Sequence, residues 1–489
     1  MKPDVVVIGS GPNGLAAAIT MARAGCSVLV YEALKEIGGG ARTAEITLPG
    51  FHHDICSSVH PMAATSEFFS SIPQKELGLD WIYPTAALAH PFDDGTAVVL
   101  RRSLCESARQ FGADEHAVRR LLKSFVQKWD ALSIDILGPA HLPKHPWLLA
   151  EFCRYAILPA TRLAAYTFRT SKARAVFAGI AAHSTMPLTA WGSSSFGIVL
   201  WAMCHAVGWP FARGGSQAIS NALAQYLSKL GGQIATGKRV TSLDDLPEAV
   251  VVICDVTPRQ FLEIGGSRIS IAERRRLKKC VYGPAAFKID WSLDGPIPWN
   301  ARECSDAGTV HLGGSLEEIV ESERAASSTT ATETPFVLVT QPSLFDSSRA
   351  PAGKHVAWGY CHVPLGSNEN MISRIEAQIE RFAAGFGERI IARSVMAPRD
   401  LESYNSNLVG GDISGGSIGL KRLLRATKRA YKTSVDRVFL CSSSTPPGPG
   451  VHGLCGHAAA KVALQKCARL WFPPDHFDGF DISNRTRKY

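Results

Sequence analysis

Residues 5–32, VVVIGSGPNGLAAAITMARAGCSVLVYE, decide the fold. Asp4 is followed by Val5, Val6, Val7 and Ile8, an unbroken apolar run that suits a central parallel strand buried on both faces. Gly9-Ser10-Gly11-Pro12-Asn13-Gly14 then supplies a G-x-G-x-x-G turn. A helix is expected over Leu15–Ala24, with Gly25 as its C-cap, and a second strand over Ser27–Tyr31. Gly9 allows the tight turn, Gly11 lets the backbone approach a pyrophosphate, and Gly14 lets helix and strand pack closely. Pro12 and Asn13 stand at the helix start, whose unpaired N–H groups and positive dipole end suit phosphates. Glu32 lies 23 residues after Gly9, placed to accept hydrogen bonds from an adenosine ribose. Its charge would repel a 2′-phosphate, which argues against NADP. The expectation is an α/β chain with a Rossmann-like dinucleotide domain.

A second glycine loop follows, Gly38-Gly39-Gly40-Ala41-Arg42-Thr43. Bare backbone lets this loop pass near a cofactor, and Arg42 adds a fixed positive charge. An NAD enzyme has no general need for such a loop. FAD does, because it continues past the pyrophosphate, so FAD is the expected cofactor. Gly38, Gly39, Arg42 and Thr43 join the candidate cofactor residues.

These two motifs resemble the FAD-binding opening of the phytoene desaturase and amine oxidase superfamily, and within it the phytoene dehydrogenase-related proteins. Gly50-Phe51-His52-His53-Asp54, the stretch 205–232, and the stretches 404–416 and 444–464 resemble further motifs of that family. The resemblance implies that backbone at Val240 meets the adenine. It also implies that the segment around Gly450, Val451 and Gly453 lies under the flavin ring. A bare helix start there would stabilise negative charge on a reduced flavin.

The chain is expected to leave the cofactor domain twice and return twice. Residues 1–70, 211–282 and 421–475 form the FAD-binding domain, 71–210 and 283–420 form the substrate domain, and 476–489 form a tail. Ser216 is a candidate N-cap for a helix before Gly231, Gln233–Val240 and Val250–Cys254 read as strands, and Val451–Leu464 as a helix. Residues 71–210 read as mostly helical. Ala286–Trp291, Phe336–Gln341 and His355–His362 read as strands, and 375–394 as an amphipathic helix. Phe196–Phe211 is unusually apolar and carries His205 and Trp209, which suggests a hydrophobic chamber facing the flavin.

No Ser/His/Asp set, H-E-x-x-H or paired-carboxylate pattern occurs, which fits chemistry carried by a cofactor. His183, His205, His362, His452 and His457 are candidates if a proton must also move, with His205 and His452 preferred as the catalytic pair. Asn405, Asn407 and Asp412 are polar groups in a glycine-rich loop. Over 489 residues the formal charge is +9, with no long Lys/Arg block, so nucleic acid is not an expected partner. A weak attraction to an anionic membrane surface stays open. The 12 cysteines are scattered without a C-x-x-C pair, against a zinc site and against dithiol chemistry. With no room for a signal peptide before the first strand and no clean run of eighteen apolar residues, the expected location is the cytoplasm.

The combined expectation is hydride transfer between flavin N5 and a hydrophobic, isoprenoid-like or polyene-like substrate, with an unspecified electron acceptor. Two alternatives stand beside it: an amine oxidase, and a non-catalytic prenyl-binding protein on the same fold.

Overall fold

The computed structural model describes residues 2–419 and 427–471, with side chains to residue 467. The boundary expected at 420/421 and the tail expected at 476–489 lie outside the described residues.

Val5–Ile8 is the middle strand of a five-stranded parallel sheet. Val28–Tyr31 and then Gln233–Ala235 lie on one side, and Val251–Cys254 and then Val438–Leu440 on the other. Three distant stretches therefore build one sheet. Both faces of the middle strand are covered, so its four side chains are buried, each stabilising by roughly 1.5–3 kcal/mol. The crossover helix is Pro12–Arg23. It starts three residues before the expected Leu15, because proline in the first turn gives up no helical hydrogen bond. The late helix, Leu454–Trp471, crosses the first at very short range: a Cβ on Gly456 would stand 1.8 Å from the Asn13 carbonyl oxygen.

Four local expectations are corrected. The strand from Gln233 ends at Ala235, not Val240, because Gly237 turns the chain at φ +65°. The late helix starts at Leu454 rather than Val451, since Val451 (φ +55°) and Gly453 (φ +67°) hold left-handed conformations. Ser216 makes no side-chain cap; its hydroxyl donates to the Ser57 carbonyl instead. The fourth concerns 375–394. A helix spans Ile372–Phe382, but Gly385 (φ +87°) interrupts, a short turn follows at Phe386–Arg389, and Ile390–Met396 is a strand.

That strand is the edge of a second, seven-stranded sheet. Its order is Ile390–Met396, Ala285–Leu293, His355–Val363, Val337–Thr340, Ala307–Leu312, Ala86–Pro91 and Ala97–Arg101. The last two are strands within 71–210, a stretch that is otherwise mostly helical as expected. They form a hairpin through Gly95 (φ +76°), and Ala86–Pro91 pairs in parallel with Ala307–Leu312. One face of this sheet packs on Ile375, Ile379 and Phe382. The opposite face is polar in rows. Lys288 pairs with Tyr360, Tyr360 with Leu338, and Leu338 with His311, and residues directly opposed across strands share a face.

Six helices from Glu115 to Ala206 pack as a separate apolar layer around Phe168, Phe177 and Trp201. No helix among the described residues is long and apolar enough to cross a membrane.

Candidate dinucleotide and substrate cavity

A single cavity of about 1010 Å³ runs from the parallel sheet to the polar face of the second sheet. At its sheet end, two glycine loops touch. A Cβ on Gly39 would lie 3.1 Å from the Gly11 Cα, and the Gly38 amide donates to the Ser10 carbonyl at 3.1 Å. Gly9, Gly11, Pro12, Asn13, Gly39 and Arg42 line the cavity, as does Glu32 at the end of the second strand. Gly14, Gly38, Thr43 and Gly453 do not line it. A Cβ on Gly14 would meet the Gly9 carbonyl at 2.1 Å, and one on Gly453 would meet Phe68 at 2.6 Å, so these glycines allow close packing behind the wall. Gly38 likewise faces Ser220 and the Ala41 carbonyl. Thr43 donates to Asp54 and accepts from the Gln217 amide, tying the loop to the next helix.

Glu32 is buried and already engaged. One oxygen accepts from the Ser10 amide (2.9 Å) and hydroxyl (2.5 Å); the other accepts from the Leu34 amide and sits 3.6 Å from Arg42. Arg42 in turn donates to the carbonyls of Glu36 and Ile37 and lies over the Tyr404 ring. The segment after Ala235 runs along the same edge, with the Lys238 amide donating to the Glu32 carbonyl, which brings Val240 to the cavity wall.

Sequence reasoning missed Asp255 at this end. It follows the strand Val251–Cys254, lines the cavity, and accepts from the Gly14 amide at the helix start (2.9 Å). A Cβ on Gly11 would be 2.8 Å from its Oδ2. Burial pushes its carboxyl up to about 7, with Glu32 adding and the Gly14 bond opposing. Its signal was an acid at the carboxyl end of a buried strand. Asn407 holds the same corner, donating to the Asp255 carbonyl and accepting from the Thr257 amide; it and Asn405 line the cavity. Asp412 instead accepts from the amides of Gly283, Ser414 and Gly416.

The far end is an apolar chamber. Phe196 and Leu200 of the helix Ser194–Ala206 face it, with Trp209, Met62, Tyr360 and Trp358. Gly450 and Val451 line it from the turn before the late helix. Lys288 also lines it, almost fully buried, paired with Asp290 and 5.5 Å from the Trp358 ring centroid. His53 approaches the other Asp290 oxygen at 3.6 Å. The alternation Lys288-x-Asp290 and Trp358-x-Tyr360 was the available sign that these strands turn one polar face inward.

The expected catalytic pair, His205 and His452, is corrected: neither lines the cavity. At about 100° per residue, His205 is turned about 180° from Phe196 and 140° from Leu200. Its Nδ1 lies 2.8 Å from the Arg101 carbonyl, and burial pulls it down to about 4. His452 spends both nitrogens locally. Nε2 meets the Gly448 carbonyl (3.0 Å) and Nδ1 accepts from the Leu454 amide, capping the late helix. His183, a candidate passed over, does line the chamber. None of the twelve cysteines is in a disulfide, and no group of His, Cys, Asp and Glu among the described residues forms a metal site.

A parallel sheet with bare glycine loops at a helix start, opened twice by inserts that close an apolar chamber, defines a flavin-type oxidoreductase fold. Residues 7–71 match the NAD(P)-binding Rossmann-like domain family. The chain is 24% identical to pyridine nucleotide-disulfide oxidoreductase domain-containing protein 2 of Rattus norvegicus, over 95% of this chain and 94% of that one. It is 25% identical to phytoene dehydrogenase of Streptomyces griseus, over 72% and 71%. A putrescine oxidase solved with putrescine shares the fold at TM-score 0.61 and 17% identity, over 96% of this chain and 99% of that one. The chain is thus a homologue of that rat protein and of phytoene desaturases, and its fold is that of flavin-type oxidoreductases.

Proposed function

We propose that the cavity binds FAD, adenosine at Glu32 and Val240 and isoalloxazine toward Gly450, and that the chamber holds a hydrophobic, polyene-like substrate. The observation that carries this reading is the continuity of one cavity from bare glycine backbone to apolar side chains. The residues fit the group: Gly11 and Gly39 leave the phosphate path without side chains, and the helix start faces it. The volume sits at the top of the roughly 300–1,000 Å³ range of ligand sites. When bound, FAD supplies a hydride acceptor or donor. The chain positions the substrate, excludes water with Phe196, Leu200 and Trp209, and pairs Lys288 with Asp290 in the chamber wall.

The prenyl-binding alternative leaves the glycine contacts without a purpose. Purified protein is expected to be yellow and to release FAD on denaturation. Anaerobic mixing with phytoene is expected to bleach the flavin, and mixing with putrescine is not. A colourless protein that cannot be reconstituted sinks the flavin reading; bleaching by putrescine alone reverses the substrate assignment.

A further inference from the structure

Three histidines lead away from the chamber wall. His183 lines the chamber at the end of the helix Ser171–Ala182, and its Nε2 lies 2.9 Å from His311 Nε2. His311 is on Ala307–Leu312, which pairs in parallel with Ala86–Pro91, the strand of His90. His311 and His90 are fully buried, and Nδ1 of each has no hydrogen-bond partner. Both atoms turn toward Gly179, where a Cβ would stand 3.0 Å from the first and 3.4 Å from the second. The bare glycine keeps this space clear; the two nitrogens are not hydrogen-bonded to each other, so the link between them needs one bridging water. At the far end, His90 Nε2 lies 3.0 Å from the Gly314 carbonyl oxygen.

That last contact fixes one end of the chain. A carbonyl only accepts, so His90 carries its proton on Nε2 and presents a lone pair at Nδ1. In the order that carries a proton toward His90, His311 donates from Nδ1 to the bridging water and accepts at Nε2. His183 donates from Nε2, which leaves its Nδ1 lone pair for the chamber. We infer that His183, His311 and His90 form a proton relay, in which His183 takes the proton released by the substrate and His90 is where the positive charge comes to rest. This rests on the hydride reading above.

The balance is simple. One substrate C–H bond breaks and leaves as hydride to the oxidised dinucleotide. The adjacent C–H bond gives its proton to His183 Nδ1, and its electron pair becomes the new C=C bond. The His183 Nε2 proton passes to His311 Nε2; the His311 Nδ1 proton passes to the bridging water, which gives one of its own to His90 Nδ1. The substrate loses two hydrogens, the dinucleotide gains two electrons, and one proton ends on His90.

Burial opposes a charge on all three rings, and only His90 has groups that offset part of that cost. Burial pulls His183 down to about 3, and nearby His362, bound to Glu323, adds to this. Burial also holds His311 well below its ordinary value, with His183 and His90 adding. Neither of these two rings has a neighbouring acid that offsets its burial. Burial lowers His90 to about 4, yet the Gly314 carbonyl and Glu318 oppose this. Glu318 is paired with Arg381, which also binds Asp93 at the surface.

The test is 15N NMR of the purified enzyme labelled at histidine. His183 is expected to be bare at Nδ1 and protonated at Nε2, and His311 the reverse. In His90→Phe, the acceptor at the far end is gone, and His183 is expected to become a mixture of tautomers. A purely structural cluster would leave His183 unchanged. Gly179→Ala blocks the same step and serves if His90→Phe does not fold. A His183 protonated at Nδ1, or one indifferent to both variants, overturns the relay. With phytoene as probe, His183→Gln is expected to slow flavin bleaching at least ~100-fold with FAD retained; an unchanged rate also overturns it. If phytoene does not bleach the wild type, the substrate reading fails and the tautomers decide the relay alone.

Discussion

The two ends of the cavity are built by different means. The nucleotide end is made of backbone: Gly9, Gly11, Gly39 and the amides at the start of the Pro12 helix, all within two short stretches of chain. The chamber is made of side chains brought from separate strands and helices, among them Lys288, Trp358, Tyr360, Phe196 and His183. The contrast teaches where each end is fragile. Backbone surfaces fail when something is added to them, whereas a buried side-chain network fails when something is taken away.

The sharpest way to break the first end is Gly11→Val. The new side chain meets Asp255 within 2.8 Å and also enters the phosphate path. Complete loss of bound dinucleotide is expected, read from the absorbance of purified protein; full occupancy would refute this placement of the phosphates. The matching change in the chamber is Lys288→Met. It leaves Asp290 fully buried, with His53 at 3.6 Å from its other oxygen. Removing one partner of a buried pair costs about 3–5 kcal/mol, measured by denaturant unfolding. The double variant Lys288→Met/Asp290→Leu should recover much of that loss, and no recovery would show that the pair is not the source.

This contrast also explains what was legible in the sequence. The first sheet and its glycine loops lie in contiguous motifs, where residue type and spacing carry the information. Gly9 to Glu32 could be read because each residue acts on its sequence neighbours. In the second sheet the strands at Ala286–Trp291, Phe336–Gln341 and His355–His362 could be read. The hairpin of Ala86–Pro91 and Ala97–Arg101 could not, because Ala86–Pro91 pairs with Ala307–Leu312, more than two hundred positions away. His205 misled for a related reason. An apolar helix says little about which side faces a cavity, and only the phase set by Phe196 and Leu200 shows that His205 faces the Arg101 carbonyl. Asp255 and Lys288 are single residues whose meaning depends on burial, and burial is settled by the packing of distant segments.

Glu32→Ala sharpens the comparison at intermediate cost. The carboxylate accepts from Ser10 and Leu34 while standing where the ribose is expected. Loss of charge-assisted hydrogen bonds should weaken FAD binding by roughly 1.5–3 kcal/mol. Titration of apoprotein with FAD, followed by flavin fluorescence, checks this, and unaltered affinity would free Glu32 from the ribose.

The smallest effect belongs to the one place where the backbone end depends on a titrating side chain. Asp255 sits at about 7 when folded against 3.8 in the open chain, because burial and Glu32 both disfavour its charge. The folded chain therefore holds an extra proton between those values, and the stability this proton contributes is lost as pH rises from 3.8 through about 7. Phosphates bound at Gly11 would raise the carboxyl further, so FAD binding above pH 7 must take up a proton at Asp255. Affinity should then fall by up to about tenfold per pH unit between pH 7 and 9. Calorimetry in buffers of different ionisation heat counts the proton directly. In Asp255→Asn the uptake should vanish and the affinity become flat over the same range, because an amide keeps the Gly14 hydrogen bond without carrying charge. A wild type already flat with pH would mean that Asp255 stays clear of the phosphates, and that the nucleotide end is made of backbone alone.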